Sequence, residues 1–400
     1  MSRRLLRPAP SRLSVPLSRR TMLRGASAGA LAVAGGGVLS SCGTEGSAQT
    51  SESCTSEDVS ETEKQVVWSN WPAYIDPIKQ ADSTLKAFEK KTGITVEYTD
   101  DVNDNNDFYG KVRNQLGDCA TTGRDMFTLT DWMAAKMIGL GWLQKLDKDN
   151  MPNVQANLLE NLRSPSWDPE REYSVPWQSG LTGIAYNSAQ TKEVGSFEEM
   201  LTRSDLKGKV TLLSEMQDTM IFMLLVTGAD PSDFSEDECG TALDRLEEVT
   251  DSGQIRAFTG NDYLQDLAQG NVLACEAWSG DVIQLQFSNP DIKFIAPGEG
   301  LSLWSDNSLV PNKATHKANA EALMDFYYDP QVAAELAAWV NYICPVQGAQ
   351  EAMTKIDPSL AENKLIFPDD ELLSKTYDFM ALSPEEEEQY QQDFARVIGA

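Results

Sequence analysis

Val66-Val67-Trp68, then Thr84 to Lys91, then Ile94-Thr95-Val96-Glu97-Tyr98 read in succession as a short strand, a helix that Gly93 can terminate, and an alternating strand. That is a βαβ unit. The pattern continues outward: Asp125-Met126-Phe127-Thr128-Leu129 predicts a strand feeding a helix from Trp132 to Leu140. Gly183-Ile184-Ala185-Tyr186, Lys209-Val210-Thr211-Leu212-Leu213, Val272-Leu273-Ala274 and Ile292-Lys293-Phe294-Ile295 are further strand candidates between helical stretches. Such alternation implies α/β lobes with mainly parallel sheets. The roughly 335 residues after the N-terminal segments suffice for two lobes, each with its own core.

Helix ends are marked. Ser235 stands three residues before Glu238, a capping-box spacing, and Gly253 closes that helix. Ser383-Pro384-Glu385-Glu386-Glu387-Glu388 places a cap, a first-turn proline and acids at the positive end of a terminal helix. Tyr390, Phe394, Val397 and Ile398 then share one face, which predicts that the helix docks.

The first 41 residues carry seven arginines and no acid, followed by an apolar run from Gly25 to Leu39, the pattern of an export signal. Ser18-Arg19-Arg20-Thr21-Met22-Leu23-Arg24 looks like a twin-arginine signal and Leu39-Ser40-Ser41-Cys42 like a lipoprotein processing site, so Cys42 becomes a lipid-bearing N-terminus. The apolar run is short of the ~20 residues that span a bilayer. Gly25-Ala26-Ser27-Ala28-Gly29 matches a hydrolase pattern by accident, since a discarded signal offers no nucleophile elbow. Residues 42–64 are polar and read as a flexible tether.

Without the seven arginines, 26 basic residues face 61 acids, near −35, which disfavours nucleic acid and anionic lipid surfaces as partners. Five cysteines follow Cys42: Cys54, Cys119, Cys239, Cys275 and Cys344. Export permits one or two disulfides, and Cys275 with Cys344 is the favoured pair because both flank segments placed at the cleft. The sole histidine, His316, lies in a polar connection and reads as a solvated surface residue, which excludes His-based triads and His-rich metal sites. Asp100 to Asp107 faintly resembles a calcium loop, but Asn106 and Val112 stand where Gly and Glu belong, so a turn into a helix capped by Asp107 is the better reading. A secreted hydrolase using paired carboxylates stays an alternative without a local motif.

Aromatics give the sharper signal. Trp71 and Tyr74 follow the first strand, where open α/β sheets bind ligands; Trp132 follows the Asp125 strand; Trp278 follows another; and Trp304 lies two residues from Asp306. Four tryptophans at strand ends beside acids suggest an aromatic box for a cation.

Trp68-Ser69-Asn70-Trp71-Pro72-Ala73-Tyr74, Ala277-Trp278-Ser279-Gly280 and Glu299-Gly300-Leu301-Ser302-Leu303-Trp304-Ser305-Asp306 together resemble the spermidine/putrescine-binding proteins, receptor subunits of polyamine ABC importers. The resemblance runs from Val67 to the terminal helix and implies a two-lobed periplasmic-binding-protein-like fold of type II: residues 65–182 plus 304–352 as one lobe, 183–303 plus 353–400 as the other. It implies that Trp71, Tyr74, Thr130 and Trp132, with Trp278, Trp304, Asp306 and Tyr342, contact a polyamine, rings sandwiching its methylenes and carboxylates holding its ammonium groups. The family's acidic pair falls near Met216 and Thr219, with Glu215 and Asp218 each offset by one, so either Asp218 or Glu215 reaches the ligand. Closure about Gly180–Thr182 and Leu303–Trp304 encloses the amine in a monomer that docks on the importer, with no cofactor, no metal and no covalent step. The same fold binding a quaternary amine is the neighbouring alternative.

Overall fold

The computed structural model describes residues 54–399; the signal, Cys42 and the first part of the tether lie outside them. Ten strands form the sheet: β1 (Gln65–Ser69), β2 (Thr95–Thr99), β3 (Met126–Thr130), β4 (Ser174–Asn187), β5 (Val210–Leu213), β6 (Ile255–Thr259), β7 (Ala274–Trp278), β8 (Ile292–Ile295), β9 (Leu301–Leu309) and β10 (Thr376–Tyr377). Their order is β2-β1-β3-β9-β4-β7-β5-β6, with β8 on β4 and β10 on β9. The two ends are parallel, as the alternation predicts, whereas β9 and β4 are antiparallel to their partners in the middle.

The middle pair makes the molecule two-lobed. β4 runs fourteen residues, every one buried, and pairs with β9 from Ser174 to Thr182. One half sits beside β3 through β9, and the other pairs with β7 and β8. The sequence signals only residues 183–186 of it, because Pro176, Gly180 and Gly183 interrupt the apolar run.

Two apolar clusters flank this ribbon. Trp68, Phe88, Phe108, Phe127 and Met133 form the first with Leu323, Tyr327 and Leu336 from late in the chain. Leu212, Phe222, Leu246 and the terminal-helix residues Tyr390, Phe394 and Val397 form the second. Each fully buried Phe contributes about 1.5–3 kcal/mol. The helix Met216–Thr227 is apolar almost all round and is accordingly buried, and Gly228 in the left-handed region (φ 88°) ends it. The predicted capping box forms at Ser235, and the cap expected at Ser383 is a capping box as well, closed by Glu386. Met353, Ala361 and Ile366 pack in the first cluster.

Four expectations need correction. Cys275 and Cys344 are separate buried thiols; the disulfide joins Cys54 to Cys119, with Cα atoms 5.6 Å apart. Nearness to the cleft in sequence does not bring two thiols together, since Cys275 is held inside β7 between Ala185 and Thr211. The segment expected as tether is fastened from Cys54 onward, with Val59 N–H donating to the Thr315 carbonyl (2.8 Å) and Asp58 accepting from Ala318 N–H. That strap covers His316, which is buried, its Nδ1 3.0 Å from Asp125 and its Nε2 3.2 Å from Glu63. Finally, Asp104, not Asp107, caps the helix Asn105–Gly117, and Asp101 pairs with Arg124.

Candidate binding site

The strand ends converge on one cavity. Twelve residues line it, around a space of about 380 Å³ that opens to solvent: Trp71, Pro72, Tyr74, Thr130, Glu215, Asp218, Asn261, Trp278, Asp281, Trp304, Asp306 and Tyr342. Trp71 and Tyr74 lie on the loop after β1, Thr130 ends β3, and the β3–β9 register sets Asp306 opposite Thr130. Asp218 and Asp281 stand in the first turns of the helices that follow β5 and β7, where a helix's positive end favours an anion. Trp278 closes β7, while Trp304 sits inside β9 rather than at a strand end.

Five rings form a continuous arc. Trp71 meets Trp278 at 5.8 Å, Trp278 meets Trp304 at 6.4 Å, Trp304 meets Tyr342 at 5.6 Å and Tyr342 meets Tyr74 at 4.9 Å, with interplanar angles from 57° to 84°. Gly280 is needed for this packing, since a Cβ there would lie 2.4 Å from the Tyr342 ring.

Each carboxylate is held by neutral donors. Asp306 accepts from Thr130 Oγ1 at 2.8 Å. Asp218 accepts from Thr182 Oγ1 (2.5 Å) and Trp278 Nε1 (3.2 Å), and Asp281 from Tyr342 (2.8 Å), Asn261 (2.8 Å) and Tyr263 (3.1 Å). Glu215 accepts from Asn105. Among the described residues, no lysine, arginine or histidine lines the cavity. Burial therefore pushes these acids up, Asp218 and Asp281 to about 6 and Asp306 to about 7, against the pull of their hydrogen bonds. Burial raises Glu215 too, and next the charge of Asp104.

Behind the wall, Glu276 on β7 is wholly enclosed. Its Oε2 accepts from Leu213 N–H (2.9 Å) and Thr219 Oγ1 (2.8 Å), while Oε1 has no partner. Burial and then the charge of Asp218 raise it strongly. The Tyr74 hydroxyl feels Asp306 without reaching hydrogen-bond geometry with it, and the Asn261 side-chain oxygen is also unpartnered. Unpaired acceptors and raised acids in an apolar enclosure suit a ligand that brings positive charge and N–H donors.

Eight of the nine residues expected at the site line the cavity; Trp132 does not. It stands in the first turn of the helix Asp131–Gly139 and packs on the first cluster. Sequence reasoning missed Asp281 and Asn261. Asp281 had a signal, an acid three residues after Trp278 at a helix start; Asn261 had none.

The profile of the bacterial extracellular solute-binding proteins matches residues 83–368. The chain belongs to that family. This solute-binding protein is therefore a receptor and not an enzyme, which removes the hydrolase alternative. It is 26% identical over 308 residues, 76% of this chain and 84% of the relative, to a spermidine/putrescine-binding periplasmic protein of Salmonella typhimurium. It is 28% identical over 338 residues, 79% and 86% of the two chains, to a putrescine-binding periplasmic protein of Escherichia coli. A spermidine/putrescine ABC transporter substrate-binding protein of Streptococcus pneumoniae superposes with a TM-score of 0.66 at 24% identity, covering 84% of this chain and 98% of that one. The type II two-lobed fold is thereby shared.

Proposed function

We propose that this solute-binding protein captures a polyamine, putrescine or spermidine, and passes it to an ABC importer from the outer face of the membrane, held there by lipid on Cys42 after export by the twin-arginine route. The observation that carries the ligand is the cavity wall: four carboxylates, five aromatic rings and, among the described residues, no cationic side chain. Rings cover the methylene chain through cation–π and apolar contact, and Asp306, Asp218 and Asp281 take ammonium groups. A buried acid with a raised pKa has an unmet demand for positive charge that a polycation satisfies. The named relatives bind these same amines.

Capture is by closure. The lobes rotate about the shared β4–β9 ribbon near Gly180–Thr182 and Leu303–Trp304, and excluding water strengthens both the ion pairs and the ring contacts. The receptor acts as a monomer, and the closed form docks on the importer. The test follows the tryptophan fluorescence of the mature protein as putrescine, spermidine and glycine betaine are added. A saturable change with a polyamine and none with betaine supports the reading; response to betaine alone replaces it with a quaternary-amine receptor.

A further inference from the structure

Two acids at the start of one helix, Glu215 at its cap and Asp218 in its first turn, border the cavity, and their contacts divide them. Glu215 Oε1 accepts the Asn105 backbone N–H at 2.6 Å, and its two oxygens accept Asn105 Nδ2 at 2.9 Å each. Asn105 thus directs two N–H donors at that carboxylate, its backbone N–H and one Nδ2 hydrogen shared between the two oxygens. Asp218 instead spends its oxygens on Thr182 of the ribbon and Trp278 of the cavity wall.

The Asn105 contact spans the two lobes. Asn105 opens the helix Asn105–Gly117, which Phe108 and Val112 fix in the first cluster. Glu215 precedes the helix Met216–Thr227, which Met216 and Met220 fix in the second. The free N–H groups of a helix's first turn need acceptors, here supplied from the opposite lobe by Glu215. The exchange is reciprocal: Asp104 caps its own helix through Oδ1, and its Oδ2 accepts Ser214 Oγ at 2.8 Å. On the same rim Gly260 lies so near Asn103 that a Cβ would come 2.3 Å from the Asn103 carbonyl oxygen. Asn105 also reaches the ligand wall, since its Nδ2 donates to Thr130 Oγ1 (2.8 Å), which donates to Asp306.

We propose that Glu215 is a positioning residue, a clasp that holds the lobes closed through Asn105, while Asp218 is the acid of this helix start that meets the ligand. The proposal takes its ligand from the polyamine reading and its mechanism from residues 103–105 and 214–215. A clasp stabilises closure whatever is enclosed, so its loss weakens every ligand by one common factor. A ligand contact instead weakens each ligand according to the ammonium it loses.

The test compares wild type, Glu215→Gln, Glu215→Ala and Asp218→Asn, each first checked for cooperative thermal unfolding. Small-angle scattering without ligand reads the lobe equilibrium, and titration with putrescine and with spermidine reads affinity. The clasp predicts a larger radius of gyration for Glu215→Ala than for wild type, a smaller increase for Glu215→Gln, and a loss of roughly ten- to a hundredfold that is equal for both amines. It predicts for Asp218→Asn an unchanged radius and unequal losses. An unchanged radius in Glu215→Ala, or losses that differ between the amines as they do in Asp218→Asn, overturns it. If wild type binds neither polyamine, the ligand reading fails by itself and the radius alone decides the clasp.

Discussion

At the scale of single residues, burial decides which side chains carry the function. Asp306 and Asp218 are anions only at the cost of an apolar enclosure, so each is worth most when an ammonium group sits beside it. Asp306→Ala is expected to weaken polyamine binding by about 2–5 kcal/mol, read by titration, with the thermal midpoint nearly unchanged. Glu276 behaves differently because it has no access to ligand. Its folded pKa is raised, so the folded state keeps a proton that the unfolded chain gives up above about 4.3, and stability falls as pH rises from there. Glu276→Gln removes that penalty: its midpoint should exceed wild type's by more at pH 8 than at pH 5, and a pH-independent difference would contradict a protonated Glu276. The aromatic and acidic character of the site was legible in the sequence because Trp71 and Trp278 follow readable strands and Asp306 stands two residues from Trp304 in a stretch that resembles the family. Asn261 was not, since an Asn in a turn announces only the turn, and Trp132 misled because the first turn of its helix directs it to the core.

At the scale of elements, the outer βαβ units and the caps were legible because period and cap chemistry are local. The β4–β9 ribbon was not, since its pairing is set by partners 120 or more residues away and its glycines hide the strand period. The burial of His316 was illegible for the same reason: the strap that covers it lies some 250 residues earlier. The Cys54–Cys119 bridge closes 65 residues of chain, for which the loop-entropy argument gives about 4 kcal/mol. The paired Cys54→Ser, Cys119→Ser variant should therefore unfold at a lower temperature or denaturant midpoint. Its affinity for polyamine should stay within about twofold of wild type, because the strap is remote from the cavity; a lost affinity with intact fold would place the strap in the binding mechanism.

At the scale of the whole molecule, two cores joined by a shared ribbon enclose a site whose charge depends on pH. Asp218 and Asp281 near 6 and Asp306 near 7 hold protons in acid, and a cation binds the ionised forms. Affinity is therefore weakest near pH 5, rises through 6 to 7 and levels off above about 8. A profile that strengthens in acid would reverse the assignment of these groups. The central claim, an anionic enclosure completed by a polycation, is tested most directly by calorimetry of the mature protein with putrescine and spermidine at pH 6.5 in two buffers of different ionisation heat. Saturable one-to-one binding that releases protons is the predicted result, and the absence of binding heat with both amines in both buffers would contradict it.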